Sequence, residues 1–353
     1  MNSNAVLERH PELYFSDGDI VLAVKQADSP PQWSEYPAKY TLFRVHKFLL
    51  KHHSAPFANF LADANAAPAE IYDGVPLAEM HGDRAEDFAL LLNYLYNPSS
   101  LVSKRNDPNT PLTVSGAVRL ADKYLIEPLH RCLVQQVIDD WPVTLDEYDV
   151  KQGEIESLRL VAVTNDNFKY TPYGGRLSDV IPEPASAILF AQEFGCPQIL
   201  RAAYYRLSLI PVSSDWSSTA QHDAVARWSI LDKDSLLRCM HGSQEITRYR
   251  PPVFAFMADP CIEEFYVHGE TGSPCYEFIA RLFDIVFDQI HPMTRPDPLR
   301  FLTKCLDFYK MSELSKEEFP DGLCVDCEET LREELVSERK KVWAMLPRWF
   351  KLE

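Results

Sequence analysis

A short run near the start of the chain, residues 19–24, is apolar on both faces that a β-strand would present. Its sequence, Asp-Ile-Val-Leu-Ala-Val, places Ile20, Leu22 and Val24 on one face and the two residues between them on the other. Both faces of such a strand are covered when the chain folds, because neither is suited to contact with water. The sequence therefore predicts a buried strand around which the first part of the chain is built.

Residues 40–45 form a second segment of strand type, and the hydrophobic period changes directly after it. Aromatic and β-branched residues dominate this segment, which suits a half-buried sheet. Apolar residues then recur at helical spacing, and Pro56 marks the start of a new helix. The spacing predicts a strand that runs directly into a pair of helices. The residues of this helical pattern are Phe48, Leu49, His52, Phe57, Phe60 and Leu61.

Turn and loop residues divide the remainder of the first domain. The Asp73-Gly74 turn predicts a third strand at 76–80, and an apolar stripe predicts a helix at 84–96. Helical spacing resumes from Val114 to about Trp141 and is broken near Pro128. Two stretches rich in proline and polar residues, 25–39 and 97–111, are expected to be long inserts.

Four of these segments, in this order, resemble a BTB/POZ domain. They are the strand at 19–24, Leu42–Leu50 with an apolar-x-x-His step at His46, Phe88–Tyr96, and Leu120–Tyr124 followed by Leu129 and Cys132. The resemblance implies an α+β fold, with a small mixed sheet flanked by helices over 1–141. The insert at 25–39 departs from the usual close connection and resembles one common in fungal members. The tail Val342–Leu352 resembles that of BTB proteins from mushroom-forming (basidiomycete) fungi.

Two polar residues invite a catalytic interpretation, and we assign both a structural role. In the resembled family the counterpart of His46 is structural and lies at the strand-to-helix corner, where an imidazole can satisfy backbone groups. Asp19, beside Gly18 at the start of a strand, is expected to accept hydrogen bonds in a turn or cap. We predict no catalytic, cofactor-binding or metal-binding residue with a defined role.

The charge of the chain disfavours several classes of partner. Its 52 acidic and 35 basic residues give a net charge of −17, which repels nucleic acids and anionic membranes. The first twenty residues contain no apolar run of signal-peptide length, no segment is apolar enough to span a membrane, and the cysteines are few. These features are typical of an intracellular protein, cytoplasmic or nuclear.

The second half of the chain is expected to be mostly helical. Residues 142–184 are predicted to be a linker with a short helix, although Ile155 to Val163 suits either a helix or a strand. Residues 185–353 form the helical C-terminal region. Within it, two amphipathic segments meet at Gly195-Cys196-Pro197, which predicts an αα-hairpin.

A structural zinc site is the one cofactor that the sequence suggests. Cys324 and Cys327 have the Cys-x-x-Cys spacing that lets two thiolates reach one zinc ion. A closed site needs four ligands, and no second pair has this spacing, so ordinary thiols remain the alternative. The other candidate ligands of the site are Cys261, His268, Cys275, His291 and Cys305.

Taken together, these features predict a protein-interaction or adaptor protein and not an enzyme. No nucleophile elbow, phosphate loop or dinucleotide-binding motif occurs. The resemblance implies self-association or docking of protein partners, including recruitment of a cullin-type ubiquitin ligase through the helices of 1–141. Family members that swap N-terminal elements carry a helix before the first strand, and residues 1–13 are too short and polar for us to expect that helix here. The alternatives are an enzyme with its site in the C-terminal helical half, and a transcriptional co-regulator without direct DNA contact.

Overall fold

The protein is an α+β chain whose N-terminal mixed sheet is followed by helices. The computed structural model describes residues 5–27, 37–63, 70–101, 104–164, 176–217, 224–249, 274–290, 296–310, 323 and 325–353. The chain divides into two compact units, Met1–Asp140 and Trp141–Glu353, and the predicted end of the first domain lies beside this division.

Five strands form the sheet of the first unit, in the order β1-β3-β2-β5-β4. β2 pairs antiparallel with β3 and parallel with β5, so the predicted strand at 19–24 lies at the centre of the sheet. The strands are β1 Val6–Tyr14, β2 Ile20–Lys25, β3 Lys39–Val45, β4 Glu70–Tyr72 and β5 Val75–Met80. The predicted strands at 19–24, 40–45 and 76–80 are thus confirmed, whereas β1 and β4 were missed.

Helices enclose one face of this sheet. They are α1 Lys47–His53, α2 Ala55–Asp63, α3 Ala85–Tyr96, α4 Thr110–Lys123 and α5 Glu127–Asp139. The strand that runs into a helix pair and the helix at 84–96 are confirmed. The helical stretch expected from Val114, with a break near Pro128, is formed by α4 and α5, which are separated by a turn at residues 124–126.

Aromatic rings connect the sheet to the helices in the core of the first unit. The Phe43 ring of β3 lies 5.7 Å from the Phe88 ring of α3, and Phe88 contacts Phe57 of α2 edge to face. The Phe57 ring is stacked on the Tyr124 ring with centroids 4.1 Å apart. The opposite face of the sheet is also covered, because Val21 and Ala23 of β2 are fully buried. The central strand is therefore buried on both faces, as the sequence predicts.

The second unit is helical in the residues that the structure describes, apart from an isolated bridge between Asp215 and Ala226. Its helices are α6 Leu145–Thr164, α7 Pro184–Phe194, α8 Leu200–Ser208, α9 Lys233–Arg248, α10 Pro274–Ile290, α11 Pro298–Lys310 and α12 Val325–Trp349. The αα-hairpin is confirmed, and Gly195 at its corner has a φ of 70° that favours glycine. None of the helices in the described part of the chain is long and apolar enough to cross a membrane.

The segment at 142–184 differs from its prediction as a linker with a short helix. α6 has 20 residues and includes Ile155 to Val163, so that segment is helical. Its start is fixed by a capping box, in which the Glu147 N–H donates to Thr144 Oγ1 at 3.2 Å and Glu147 Oε2 accepts from the Thr144 N–H at 3.2 Å. The Thr-x-x-Glu pattern was the local signal that predicts this helix.

Candidate protein-interaction surface

The corner between β3 and α1 is built by the two residues to which the sequence assigned a structural role. The Tyr96 hydroxyl lies 2.9 Å from both the backbone N–H and Nδ1 of His46, and Nε2 of this histidine lies 3.5 Å from Asp17. The Lys47 N–H donates to Asp19 Oδ1 at 2.6 Å, which caps the first turn of α1. Asp19 is therefore a capping acceptor, and His46 bonds a tyrosine rather than the backbone groups that were expected.

α1 presents an aromatic surface to solvent directly after this corner. Phe48 is 76% exposed, although helical spacing had grouped it with the apolar residues of the helix pair. Its ring stacks on the His52 imidazole with centroids 5.8 Å apart and planes at 15°, and His52 contacts His53 edge to face. The interior side of α1 is provided instead by Leu50, which is 1% exposed.

A buried hydrogen bond joins the end of α1 to the turn between α4 and α5. Ser54 lies between α1 and α2, and its hydroxyl donates to the Tyr124 carbonyl at 2.6 Å. The same hydroxyl accepts from the Phe57 N–H at 3.2 Å, so it also stabilises the first turn of α2. These bonds hold His53 and the α4–α5 turn beside each other.

Leu125 occupies this turn in a conformation that leucine disfavours. Its φ of 52° is left-handed, and the Ile126 N–H donates to the Ala121 carbonyl at 2.8 Å, which is the bond pattern of a helix C-terminus that usually carries glycine. The side chain is 67% exposed, so burial of its apolar surface does not offset the backbone strain. We call Phe48, His52, His53 and Leu125 the α1 ridge.

The edges of the sheet are poorly suited to pairing with a strand of another chain. β1 contains Pro11, which has no N–H, and its register with β3 shifts between Arg9 and Tyr14. β4, at the other edge, has only three residues. Arg9 Nη2 donates to Asp73 Oδ2 at 2.5 Å, which ties the edge strand β1 to the β4–β5 turn. The α1 ridge is therefore the better candidate for contact with another polypeptide.

Tyr205 and Asp297, in the described part of the second unit, are two titratable groups with shifted pKa values. Their role is structural. The Tyr205 hydroxyl donates to Asp297 Oδ1 at 2.6 Å, and desolvation raises the pKa of both groups. The Leu299 N–H donates to this hydroxyl at 3.2 Å, and the Arg300 N–H donates to the carboxylate at 3.0 Å. The pair thus satisfies free N–H groups at the start of α11.

The zinc prediction falls mostly outside the described residues. Cys324, Cys261, His268 and His291 lie outside them, and the side chains of Cys327 and Cys275 are not described. Cys305 is buried in α11, and desolvation raises the pKa of its thiol. Among the side chains that the structure describes, no group of three His, Cys, Asp or Glu residues could hold a metal ion.

Sequence reasoning did not identify the α1 ridge. Apolar spacing assigned Phe48 and Phe60 to the helix pattern, but exposure depends on how the helix is rotated against the sheet. The one local signal was a leucine at 125, between the end of one helix and Pro128 near the start of the next, where a glycine is common.

Comparison with known proteins does not identify a family for this chain, because neither a protein-family model nor a curated protein matches the sequence.

Proposed function

We propose that the first unit is a BTB/POZ-type interaction domain and that the chain acts as an adaptor that docks other polypeptides. The segments that carry the resemblance fall, in chain order, on β2, the β3–α1 corner, α3, and α4 with α5. Apart from the additional strands β1 and β4, the elements follow the predicted order of strand, strand, helix pair, strand, helix and helix pair. This order supports the proposal for the fold of the domain.

The observations that carry the proposed function are the exposure of Leu125 in a left-handed conformation and the exposure of the Phe48 ring on α1, the helix whose end is bonded to the Leu125 turn through Ser54. Both features oppose stability, because the backbone is strained and the apolar side chains contact water. Such features are expected where a surface serves binding rather than folding. Burial of the two side chains by a partner would contribute about 1.5–3 kcal/mol each.

The mechanism of this function involves no bond chemistry. A partner covers the apolar side chains of the α1 ridge, and charges around it select among partners. The capping bond from Asp19 and the Ser54 bond to Tyr124 fix the ridge before binding. Because the surface is preorganised, little conformational entropy is lost when the partner binds.

The test compares the full chain with two single variants, Phe48→Ser and Ile71→Ser. Ile71 of β4 is 73% exposed, close to the 76% of Phe48, but it lies on the edge of the sheet and not on the α1 ridge. We expect gel filtration with light scattering, or affinity capture from native extract, to show an association that Phe48→Ser loses and Ile71→Ser keeps. A monomeric chain whose captured proteins are the same for all three forms would overturn the proposal.

Cullin recruitment is a separate part of the proposal, since the resemblance implies it for the helices of the first unit. Its test is gel filtration of the full chain with a purified cullin N-terminal domain. Co-elution would support an adaptor of a ubiquitin ligase. Separate elution at concentrations of about 10 µM, where a specific adaptor complex is expected to form, would remove this part alone.

A further inference from the structure

Three of the four residues of the α1 ridge lie on α1, a helix whose charge is opposite to that of the chain. The seven residues of α1 include Lys47, Lys51, His52 and His53 and no acidic residue. The whole chain has a net charge of −17. The residues of α1 itself are therefore basic in an acidic protein, although Asp17 and Asp19 lie against its N-terminal end.

Among the residues that the structure describes, the lysines of α1 form no ion pair, whereas other basic residues of the first unit do. Lys123 Nζ lies 2.5 Å from Asp83 Oδ1, and Arg131 Nε lies 3.4 Å from Glu127 Oε1. Within the described part of the chain, no carboxylate lies within ion-pair distance of the Lys47 or Lys51 ammonium group. With respect to the described residues, both ammonium groups are unpaired and can pair with carboxylates from another polypeptide.

We propose that the α1 ridge binds an acidic segment of a partner protein. Apolar side chains of that segment would cover Phe48 and Leu125, while its carboxylates would pair with Lys47 and Lys51. This inference rests on the proposed function and gives the chemical class of the partner. The arrangement is that of an interface with an apolar centre and a charged rim, in which charge sets specificity and the rate of association.

A second copy of the chain fits this surface less well than an acidic segment. In a two-fold symmetric contact through α1, the same patch faces itself, so the lysines of one copy would meet those of the other. Like charges across an interface oppose association. An isologous dimer through the α1 ridge is therefore disfavoured.

Anionic membranes and nucleic acids also fit less well, although both are attracted to basic surfaces. A membrane or a long nucleic acid meets the field of the whole protein, which is negative. A short acidic segment meets mainly the charges within about one Debye length, roughly 8–10 Å at physiological salt. On that scale the segment meets the Lys47 and Lys51 ammonium groups, while the carboxylates of Asp17 and Asp19 lie at the N-terminal end of the helix.

The probe for the test is a synthetic, fluorescein-labelled helical peptide of Glu, Ala and Leu, with Leu at every third or fourth position. One control peptide has Lys in place of Glu, and another has Ala in place of Leu. We expect fluorescence anisotropy with the full chain to show binding of the acidic, Leu-containing peptide, and binding of each control that is weaker by about tenfold or more. Raising the ionic strength from about 0.05 M to about 0.3 M should weaken binding, because the charges are exposed.

Variants of the full chain assign the binding to the ridge. Phe48→Ser, and separately the double variant Lys47→Glu/Lys51→Glu, should each weaken peptide binding by about tenfold or more. The matched controls are Ile71→Ser, which removes a similarly exposed apolar side chain, and Lys104→Glu, which reverses an exposed charge in a turn. Both controls should bind the peptide as the unaltered chain does.

Other results would overturn the inference without touching the proposed function. One is an association lost by Phe48→Ser in native extract while the acidic peptide binds no better than its Lys control. Another is a dimer in light scattering that Phe48→Ser dissociates, since the occupant is then a second copy. Co-sedimentation with phosphatidylserine vesicles that depends on Phe48 would identify a membrane as the occupant instead.

Discussion

The ring of Phe350 occupies the space that a side chain on Gly242 would need. A β-carbon at residue 242, within α9, would lie 2.0 Å from two atoms of this ring. Phe350 follows the last residue of α12, and its ring also stacks on Tyr204 of α8 with centroids 5.5 Å apart. The absence of a side chain at Gly242 therefore lets the C-terminal tail pack against α8 and α9.

We predict that Gly242→Ala destabilises the protein by about 1–2 kcal/mol, because overpacking outweighs the gain in helix propensity. Urea unfolding followed by circular dichroism measures the change. The matched control is Gly153→Ala in α6, where an added β-carbon meets no atom within 4 Å. This control should stabilise the protein by about 0.5–1 kcal/mol, and an equal response of the two variants would contradict the packing argument.

We predict that Glu183→Gln destabilises the second unit by about 1–3 kcal/mol. Glu183 is buried, its Oε1 accepts from the Ala185 and Arg227 N–H groups at 2.9 and 3.0 Å, and its Oε2 accepts from the Ser186 N–H at 2.8 Å. Glutamine has one acceptor oxygen, so its amide NH2 would face a backbone donor on one side. The ion pair with the Arg227 guanidinium at 3.4 Å would also be lost.

Asp232→Asn is the control for this prediction, and thermal unfolding of both variants is the measurement. Asp232 caps α9, and its Oδ1 accepts from the Ser235 N–H at 2.7 Å. An asparagine oxygen can accept the same bond, so the change should alter stability by less than about 0.5 kcal/mol at neutral pH. Similar losses in the two variants would show that the paired acceptors of Glu183 are not the cause.

We predict that Leu125→Gly stabilises the first unit by about 0.5–1 kcal/mol and weakens partner binding. Glycine adopts the φ of 52° without a steric penalty, so the backbone strain is relieved while the apolar contact is lost. Leu125→Ala is the control, because it removes the contact but keeps the β-carbon and hence the strain. If neither variant affects binding, the conformation of Leu125 does not serve the interaction.

The local sequence was enough to predict the two central strands of the sheet and two of the turns. β2 is a continuous apolar run and β3 is rich in aromatic and β-branched residues, while the Asp73-Gly74 turn and the Gly195 corner have residues that favour their backbone conformations. β1 was missed because only Leu13 of its nine residues is buried and because, in the described sheet, it pairs with β3 alone. Its strand conformation depends on pairing with a segment about thirty residues away, which local pattern does not encode.

The candidate surface was less predictable than the fold. A helix of seven residues has about two turns, so its few apolar positions do not define which side is buried. The rotation of α1 about its own axis places Leu50 in the interior and leaves Phe48 exposed. The backbone strain at Leu125 depends on the positions of α4 and α5 in the folded structure. The sequence shows only that an apolar residue stands where a helix ends.

The last prediction concerns the pH dependence of the Asp297→Asn variant. Desolvation raises the pKa of Asp297 above its usual value, although hydrogen bonds from Tyr205 and Arg300 oppose the shift. A carboxyl group with a raised pKa in the folded state stabilises that state below the unfolded pKa, about 3.9, and this contribution is lost as the pH rises through the folded value.

Asparagine at position 297 has the same shape as aspartate, accepts both hydrogen bonds through its oxygen and does not titrate. The stability of Asp297→Asn relative to the unaltered chain should therefore increase between about pH 4 and pH 7, as measured by urea unfolding across that range. Asp232→Asn should show the opposite slope at acidic pH, because hydrogen bonds from Ser235 lower the pKa of Asp232. A flat or falling difference for Asp297→Asn would show that its carboxylate is not destabilised in the folded protein.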